Sequence, residues 1–400
     1  MTGLSAIVPD AGNDLFPWSN KQFQENPHPW YDRARKLGSV HQTDERTFVV
    51  LGYHDVMHWV KAPVMSIREP EWVATNPWLA FEHTVLSLDP PEHTRARRLF
   101  TRWFTPKLIK QWVEATRSSM EDILGGYTPG EPIDAHIQLG VVPTHITMAR
   151  VLDLPEEDVE PLFWALWDAM LVQATDPGPG IKEKSIAGLE YMFDRTERLL
   201  KAKVDNPGKG LADELIAASQ RGEITWREVV ENMVLFYMSG APNPAYLISE
   251  ALEVFAERPD VMADYRDKPE SHEPIINEVA RLNPVELLLT RFPTEDVEIA
   301  GTTIPKDSCI KFPIGAVNRD PEVFDNPHEF NWHRPLDASR NLTFGLGTHS
   351  CAGQLIARAE TDVILTMTAE RFSSVTLAEP PVKVRTDRLI AYETMPVVLN

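Results

Sequence analysis

The sequence predicts a mainly α-helical protein with a small β portion. Apolar residues recur at spacings of three and four through Thr94–Phe104, Leu108–Leu124, Ile137–Leu154, Val159–Val172, Ile181–Ala202, Leu211–Ser219 and Thr225–Glu257. After Pro284 the texture changes to short extended pieces, Val297–Ile299, Thr302–Ile304 and Cys309–Pro313. A second β signal lies near the start, where Ser39–Gln42 and Arg46–Leu51 flank a polar turn at Asp44–Glu45.

In chain order, a proline-initiated helix over Pro29–Lys36 ends at Gly38 and leads into that hairpin. Thr225 and Glu228 form a capping box at the head of the Thr225–Glu257 segment, which would span roughly 45 Å if continuous. Pro242 and Pro244 interrupt it: they lack the N–H groups that would bond the carbonyls of Met238 and Gly240, and their rings clash with the preceding turn. The helix must kink there. A further helix covers His272–Leu282, then a proline-rich stretch Pro321–Pro335, and a last helical pattern runs from Gln354 to Phe372. The 33 prolines mark helix starts and ends, not a linker, so residues 1–400 are expected to form one domain.

Composition narrows the function. With 43% apolar and 24% charged residues the chain can bury a large core. The 59 acidic against 39 basic residues give a net charge of −20, which argues against non-specific binding to nucleic acid or an anionic membrane. Two cysteines, Cys309 and Cys351, cannot build a disulfide framework or a multi-cysteine zinc site, and they suit a reducing cytoplasm. The start, MTGLSAIVPDAGNDLF, has no basic-then-apolar signal pattern. The longest uncharged stretch, Asn232–Ser249, is broken by Gly240, Pro242, Asn243 and Pro244, and reads as a buried helix instead of a membrane span.

The sharpest local feature is Phe344-Gly-Leu-Gly-Thr-His349-Ser-Cys351-Ala-Gly353 ahead of the last helix. Glycines let the backbone approach closely, and unpaired N–H groups at a helix start favour a thiolate. A thiolate held this way is a metal ligand or a nucleophile, whereas Cys309, in a strand, reads as a small core residue.

The pattern Phe-Gly-x-Gly-x-His-x-Cys-x-Gly resembles the haem-binding loop of the cytochrome P450 family, and three further elements agree in order. The resemblance implies a single-domain fold with a long central helix over a haem b, Cys351 as the axial iron ligand, and Phe344 and Gly353 shaping its loop. Glu278-Val-Ala-Arg281, with Arg334 in Phe330-Asn-Trp-His-Arg334, looks like the family's structural Glu-Arg-Arg network. His93 and Arg97, one helical turn apart, together with Arg291 and His349, match positions that hold haem propionates.

The third element departs from the family. Where relatives carry Ala/Gly-Gly-x-acid-Thr, this chain reads Ser239-Gly240-Ala241-Pro242-Asn243. The acid has become Pro242 and the alcohol Asn243, so the usual route for the protons that dioxygen cleavage needs is missing. Water on the freed carbonyls, together with Asn243, is a plausible substitute. The same resemblance places Trp72, Trp78, Phe81, Trp167, Leu235, Val285, Glu286, Leu288 and Ile390 around the substrate, with Glu286 the one acid among apolar neighbours. Arg95, Arg98, Arg102, Lys107 and Lys110, in a stretch without an acid, would dock a separate, acidic, ferredoxin-type electron donor. The implied activity is monooxygenation of an apolar, aromatic or polycyclic small molecule by O2. The alternatives are oxidative coupling or cyclisation without oxygen insertion and, outside catalysis, a haem sensor or carrier.

Overall fold

Five strands form the largest sheet, in the order Val40–Gln42, Thr47–Val50, Cys309–Pro313, Leu288–Pro293, Met65–Ser66. Only the Thr47–Val50 to Cys309–Pro313 pairing is parallel; it joins chain segments more than 250 residues apart with Phe48 opposite Ile310. All four residues of Thr47–Val50 are buried, as a central strand covered on both faces requires. The computed structural model describes residues 14–73, 81–152, 155–170, 179–336, 340–386 and 388–400.

Helices make up the rest of the core. The helix Trp226–Gly240 is started by the expected capping box: the Thr225 hydroxyl accepts the Glu228 N–H at 3.1 Å, and a Glu228 carboxylate oxygen accepts the Thr225 N–H at 2.7 Å. It ends at Gly240. A second helix, Pro242–Glu257, begins at once with Pro242 in its first turn, where the missing N–H costs nothing. The ladder is thus interrupted at Ala241, the residue before the first proline, and the central element is two helices in series. Gln354–Arg371, the helix after the cysteine loop, packs against Pro106–Gly126 and Pro242–Glu257.

Two apolar clusters meet at the functional region. The larger is helical; the smaller lies between the five-stranded sheet and the helix Tyr53–Trp59. Leu342 belongs to the smaller cluster and Phe344 packs against the larger, so the cysteine loop straddles the seam. Among the described residues no helix is long and apolar enough to cross a membrane.

The helix His272–Leu282 and the strands Val297–Ile299, Thr302–Ile304 and Cys309–Pro313 fall where the sequence predicts. Absent from the sequence reading are the short helices Tyr53–Trp59 and Pro259–Asp267 and the strand Leu288–Pro293. That strand follows the loop after Pro284 and pairs with Cys309–Pro313 far along the chain, a partnership no local pattern announces.

Candidate functional site

Cys351 sits at the end of a tight loop. Its N–H donates to the Phe344 carbonyl at 2.8 Å, and the Ser350 N–H donates to the Gly347 carbonyl at 3.1 Å. Gly345 and Gly347 have φ of 63° and 71°, which side chains rarely adopt, and a Cβ on Gly347 would stand 2.5 Å from Cβ of Lys61. The helix Gln354–Arg371 starts three residues after the cysteine, with Gly353 as its cap, and the Gly353 and Gln354 N–H groups point at the sulfur. Burial pushes the Cys351 thiol up; those two N–H groups and the charge of Arg97 pull the other way. Cys351 is nonetheless not enclosed by protein atoms, which leaves room for a group beside it. Cys309 is half-buried, and burial raises its thiol too, without any backbone donor to oppose it.

Two arginines and two imidazoles converge on the same place. Arg97, on the helix Glu92–Thr101, donates from Nη2 to the carbonyl of Ser350 at 2.9 Å. His93, one turn earlier, packs against His349 of the cysteine loop with ring centroids 4.3 Å apart and planes tilted by 56°. Both ring nitrogens of His93 are buried without a hydrogen-bond partner. Arg291 is buried, its Nε on the Val60 carbonyl at 3.2 Å and its Nη1 on the Thr290 carbonyl at 2.8 Å. Burial lowers the pKa of all four groups, Arg291 to about 10 and His349 to about 4. Buried donors short of acceptors call for an anionic group. Among the described residues no three His, Cys, Asp or Glu side chains are placed to hold a bare metal ion, so a metal at Cys351 must bring its other ligands with it. The residues therefore fit a haem: Cys351 offers one thiolate, and His93, Arg97, Arg291 and His349 are placed for its carboxylates.

Behind the loop lies a buried ion-pair network. Arg281 donates from Nε and Nη2 to both oxygens of Glu278, each at 2.7 Å, and Arg334 donates to Glu278 at 3.2 Å. Arg281 also bonds the carbonyls of Asn318, Pro327 and Glu329, so one side chain ties the helix to the proline-rich stretch. Asn318 is a component that sequence reasoning misses. It is fully buried; its Oδ1 accepts the Leu342 N–H at 2.7 Å, and its Nδ2 donates to the Arg281 carbonyl at 3.0 Å and to the Thr343 hydroxyl at 3.0 Å. It links the ion-pair helix to the cysteine loop, and the Asn-Arg-Asp context carries no motif that would reveal this.

On the central element, Ser239 is exposed and Ala241 is buried. Gly240 faces Met148, whose methyl would lie 2.0 Å from an added Cβ, so packing explains this glycine. Asn243 has its amide oxygen buried without a hydrogen-bond partner.

The other expected residues scatter. Trp167 lines a narrow apolar cleft with Met170, Tyr246, Leu389 and Ala391. Val285 is half-buried against the main core, and its carbonyl accepts the Ile390 N–H at 3.3 Å. Leu235 and Leu288 are buried. Two pocket expectations are corrected. Phe81 is fully buried against Phe193, and Trp72 lies at the surface, its indole N–H spent on the Asp307 carbonyl at 2.8 Å. Trp78 lies outside the described residues, as do the side chains of Arg102 and Lys107. In the basic run, Arg98 and Lys110 are exposed. Arg95 is exposed too, and it bonds Glu228 at 2.6 Å and the Glu223 carbonyl at 2.7 Å, at the head of the central element.

A mainly helical fold with a single presented cysteine, two arginines and two imidazoles gathered at its loop fits a haem-thiolate protein. A sequence profile described as Cytochrome P450 matches residues 192–394. Pentalenic acid synthase of Streptomyces avermitilis is 30% identical over 298 residues, 74% of this chain and 72% of its own length. Cytochrome P450 monooxygenase PikC of Streptomyces venezuelae is 26% identical over 376 residues, 90% of this chain and 87% of its own. The fold superposes on the epothilone D-bound cytochrome P450epoK with a TM-score of 0.88 at 22% identity, covering 97% of this chain and 100% of that one. The chain belongs to the cytochrome P450 family and is a haem-thiolate oxidoreductase.

Proposed function

We propose that the whole chain, residues 1–400, is one catalytic unit of the cytoplasm that holds haem b through Cys351 and acts as a monooxygenase on an apolar, aromatic or polycyclic small molecule. Its electrons would come from a separate ferredoxin-type donor. The observation that carries this reading is the Cys351 sulfur, faced by the Gly353 and Gln354 N–H groups and near His93, Arg97, Arg291 and His349. Bound there, the haem supplies dioxygen chemistry, with the thiolate pushing electron density that favours O–O cleavage.

What the chain itself does is bind, orient and deliver protons. Neither Pro242 nor Asn243 titrates near neutral pH, so the acid–alcohol pair of most relatives has no counterpart at these positions. Three acceptors are left near one another in sequence: the buried Asn243 amide oxygen and the carbonyls of Met238 and Gly240, which prolines at 242 and 244 leave without helical donors. Such a group of acceptors suits ordered water, which would relay protons in place of the missing pair. The same substitution favours a second reading, oxidative coupling or cyclisation without oxygen insertion, in which no such relay is needed.

Asn243→Ala and labelled dioxygen separate the two. Water relay through Asn243 predicts labelled product, with more peroxide and less product per electron in the variant, and tolerance of Asn243→Thr. Unlabelled product with unchanged coupling in Asn243→Ala supports the coupling reading and overturns oxygen insertion.

A further inference from the structure

We infer that Arg388 anchors a carboxylate of the substrate, so that the molecule oxidised is an apolar body ending in an acid group. The inference rests on the haem-thiolate reading and gives it a substrate class.

Arg388 sits on a turn held by its own hydrogen bonds. The Thr386 hydroxyl accepts the N–H groups of Arg388 and Leu389, each at 3.1 Å, and the Thr386 N–H donates to the Leu389 carbonyl at 3.0 Å. The turn is pinned in its turn to the chain after Pro284. The Leu287 N–H donates to the Arg388 carbonyl at 2.7 Å, the Ile390 N–H donates to the Val285 carbonyl at 3.3 Å, and Glu286 bridges Leu389. By backbone pairing Arg388 thus belongs to the stretch of Val285, Leu288 and Ile390 that the family resemblance sets around the substrate.

The half-buried guanidinium is held at one corner only. Its Nη1 donates to the Thr290 hydroxyl at 3.2 Å, and the Thr290 carbonyl accepts from Nη1 of Arg291 at 2.8 Å, so one threonine joins Arg388 to an arginine placed for the haem. The Arg388 Nε is buried without a hydrogen-bond partner, and no described residue accepts from its Nη2. Among the described residues no carboxylate pairs with it either: Glu69 and Glu286 feel its charge without bonding to it. The Nε and Nη2 N–H groups of an arginine form the parallel pair that matches both oxygens of a carboxylate, and that edge is the one left over here. A guanidinium whose plane is set by Thr290 and whose paired donors lack an acceptor calls for an anion. His93, Arg97, Arg291 and His349 already answer the haem carboxylates, so an acid on the substrate is the remaining source.

Phenylbutanoate, phenylhexanoate and phenyloctanoate are compared with their primary amides by calorimetry on the haem-loaded protein at about pH 7.5, where the acids are ionised and the amides carry no charge. At least one acid should bind about tenfold more tightly than its amide. The preference should vanish in Arg388→Gln and survive in part in Arg388→Lys, which keeps the charge without the fork. It should weaken severalfold in Thr290→Val, which frees the guanidinium plane. Equal binding within every pair, no binding of any probe, or a preference that persists in Arg388→Gln overturns the inference. Loss of haem from Arg388→Gln also overturns it, because Arg388 would then hold a haem carboxylate. A normal thiolate Soret band in the wild-type samples leaves the haem reading standing; an absent band overturns both.

Discussion

Arg97 and Ser350 are joined by a 2.9 Å hydrogen bond from the guanidinium to the carbonyl immediately before Cys351. One side chain thereby connects the helix Glu92–Thr101 to the residue that presents the sulfur, and leaves the rest of its fork toward the site. Arg97 thus fixes the loop and, under the proposed reading, would also offer charge to the haem.

Arg97→Ala should lower the haem retained per protein after gel filtration severalfold, and Arg97→Lys should restore part of it, since a lysine keeps the charge without the planar fork. The haem-to-protein ratio measures this. A full complement in Arg97→Ala would remove Arg97 from the binding site.

Breaking the buried Glu278–Arg281 pair should be far more costly than trimming its edge. Arg281→Ala leaves Glu278 uncompensated in the interior and should cost about 3–5 kcal/mol in urea unfolding of the haem-loaded protein. Arg334→Ala removes two longer contacts, to Glu278 at 3.2 Å and to the Asn326 carbonyl at 3.1 Å, leaves Glu278 paired with Arg281, and should cost less. Asn318→Leu should resemble Arg281→Ala in loosening the loop, because the Leu342 N–H would lose its acceptor.

The site was legible in the sequence where function fixes residue type at fixed spacing. The cysteine loop, the Glu278–Arg281 spacing and the His93–Arg97 turn each span only a few residues, and contacts from Arg97 to Ser350 and from Asn318 to both Arg281 and Leu342 link them. The break before Pro242 was legible for a different reason, since proline chemistry is local. Asn318, Phe81 and Trp72 were not legible. Asn318 acts through contacts 24 and 37 residues away, and whether an aromatic faces a pocket, a core or solvent depends on tertiary neighbours that periodicity does not encode. The Arg95–Glu228 pair was not legible either, since the two residues lie 133 apart in sequence.

Arg98 and Lys110 are exposed members of the basic run that carry no other assignment. Arg98→Glu with Lys110→Glu should slow reduction by an acidic ferredoxin and flatten its dependence on ionic strength, with haem content unchanged. Stopped-flow reduction checks it; equal rates at low salt in wild type and variant would contradict docking on this face.

Stability should fall in mild acid because of two buried imidazoles. Burial holds His136 near 4 and His145 near 3, below the ordinary value of 6.5. Their contribution is complete above about pH 6.5, and it declines as pH drops toward 4, where the unfolded chain takes up protons that the folded chain refuses. The loss should approach roughly 1.4 kcal/mol per residue per pH unit. His145→Phe, which also removes the 2.8 Å contact with Tyr237, should flatten the slope of unfolding free energy against pH over this window.

The central claim is that Cys351 alone supplies the thiolate to iron. The reduced carbon monoxide complex measures it directly. The wild type and Cys309→Ala should both show the red-shifted Soret band of thiolate ligation, and Cys351→His should lose it. A red-shifted band that survives in Cys351→His, or one that disappears in Cys309→Ala, would contradict the account.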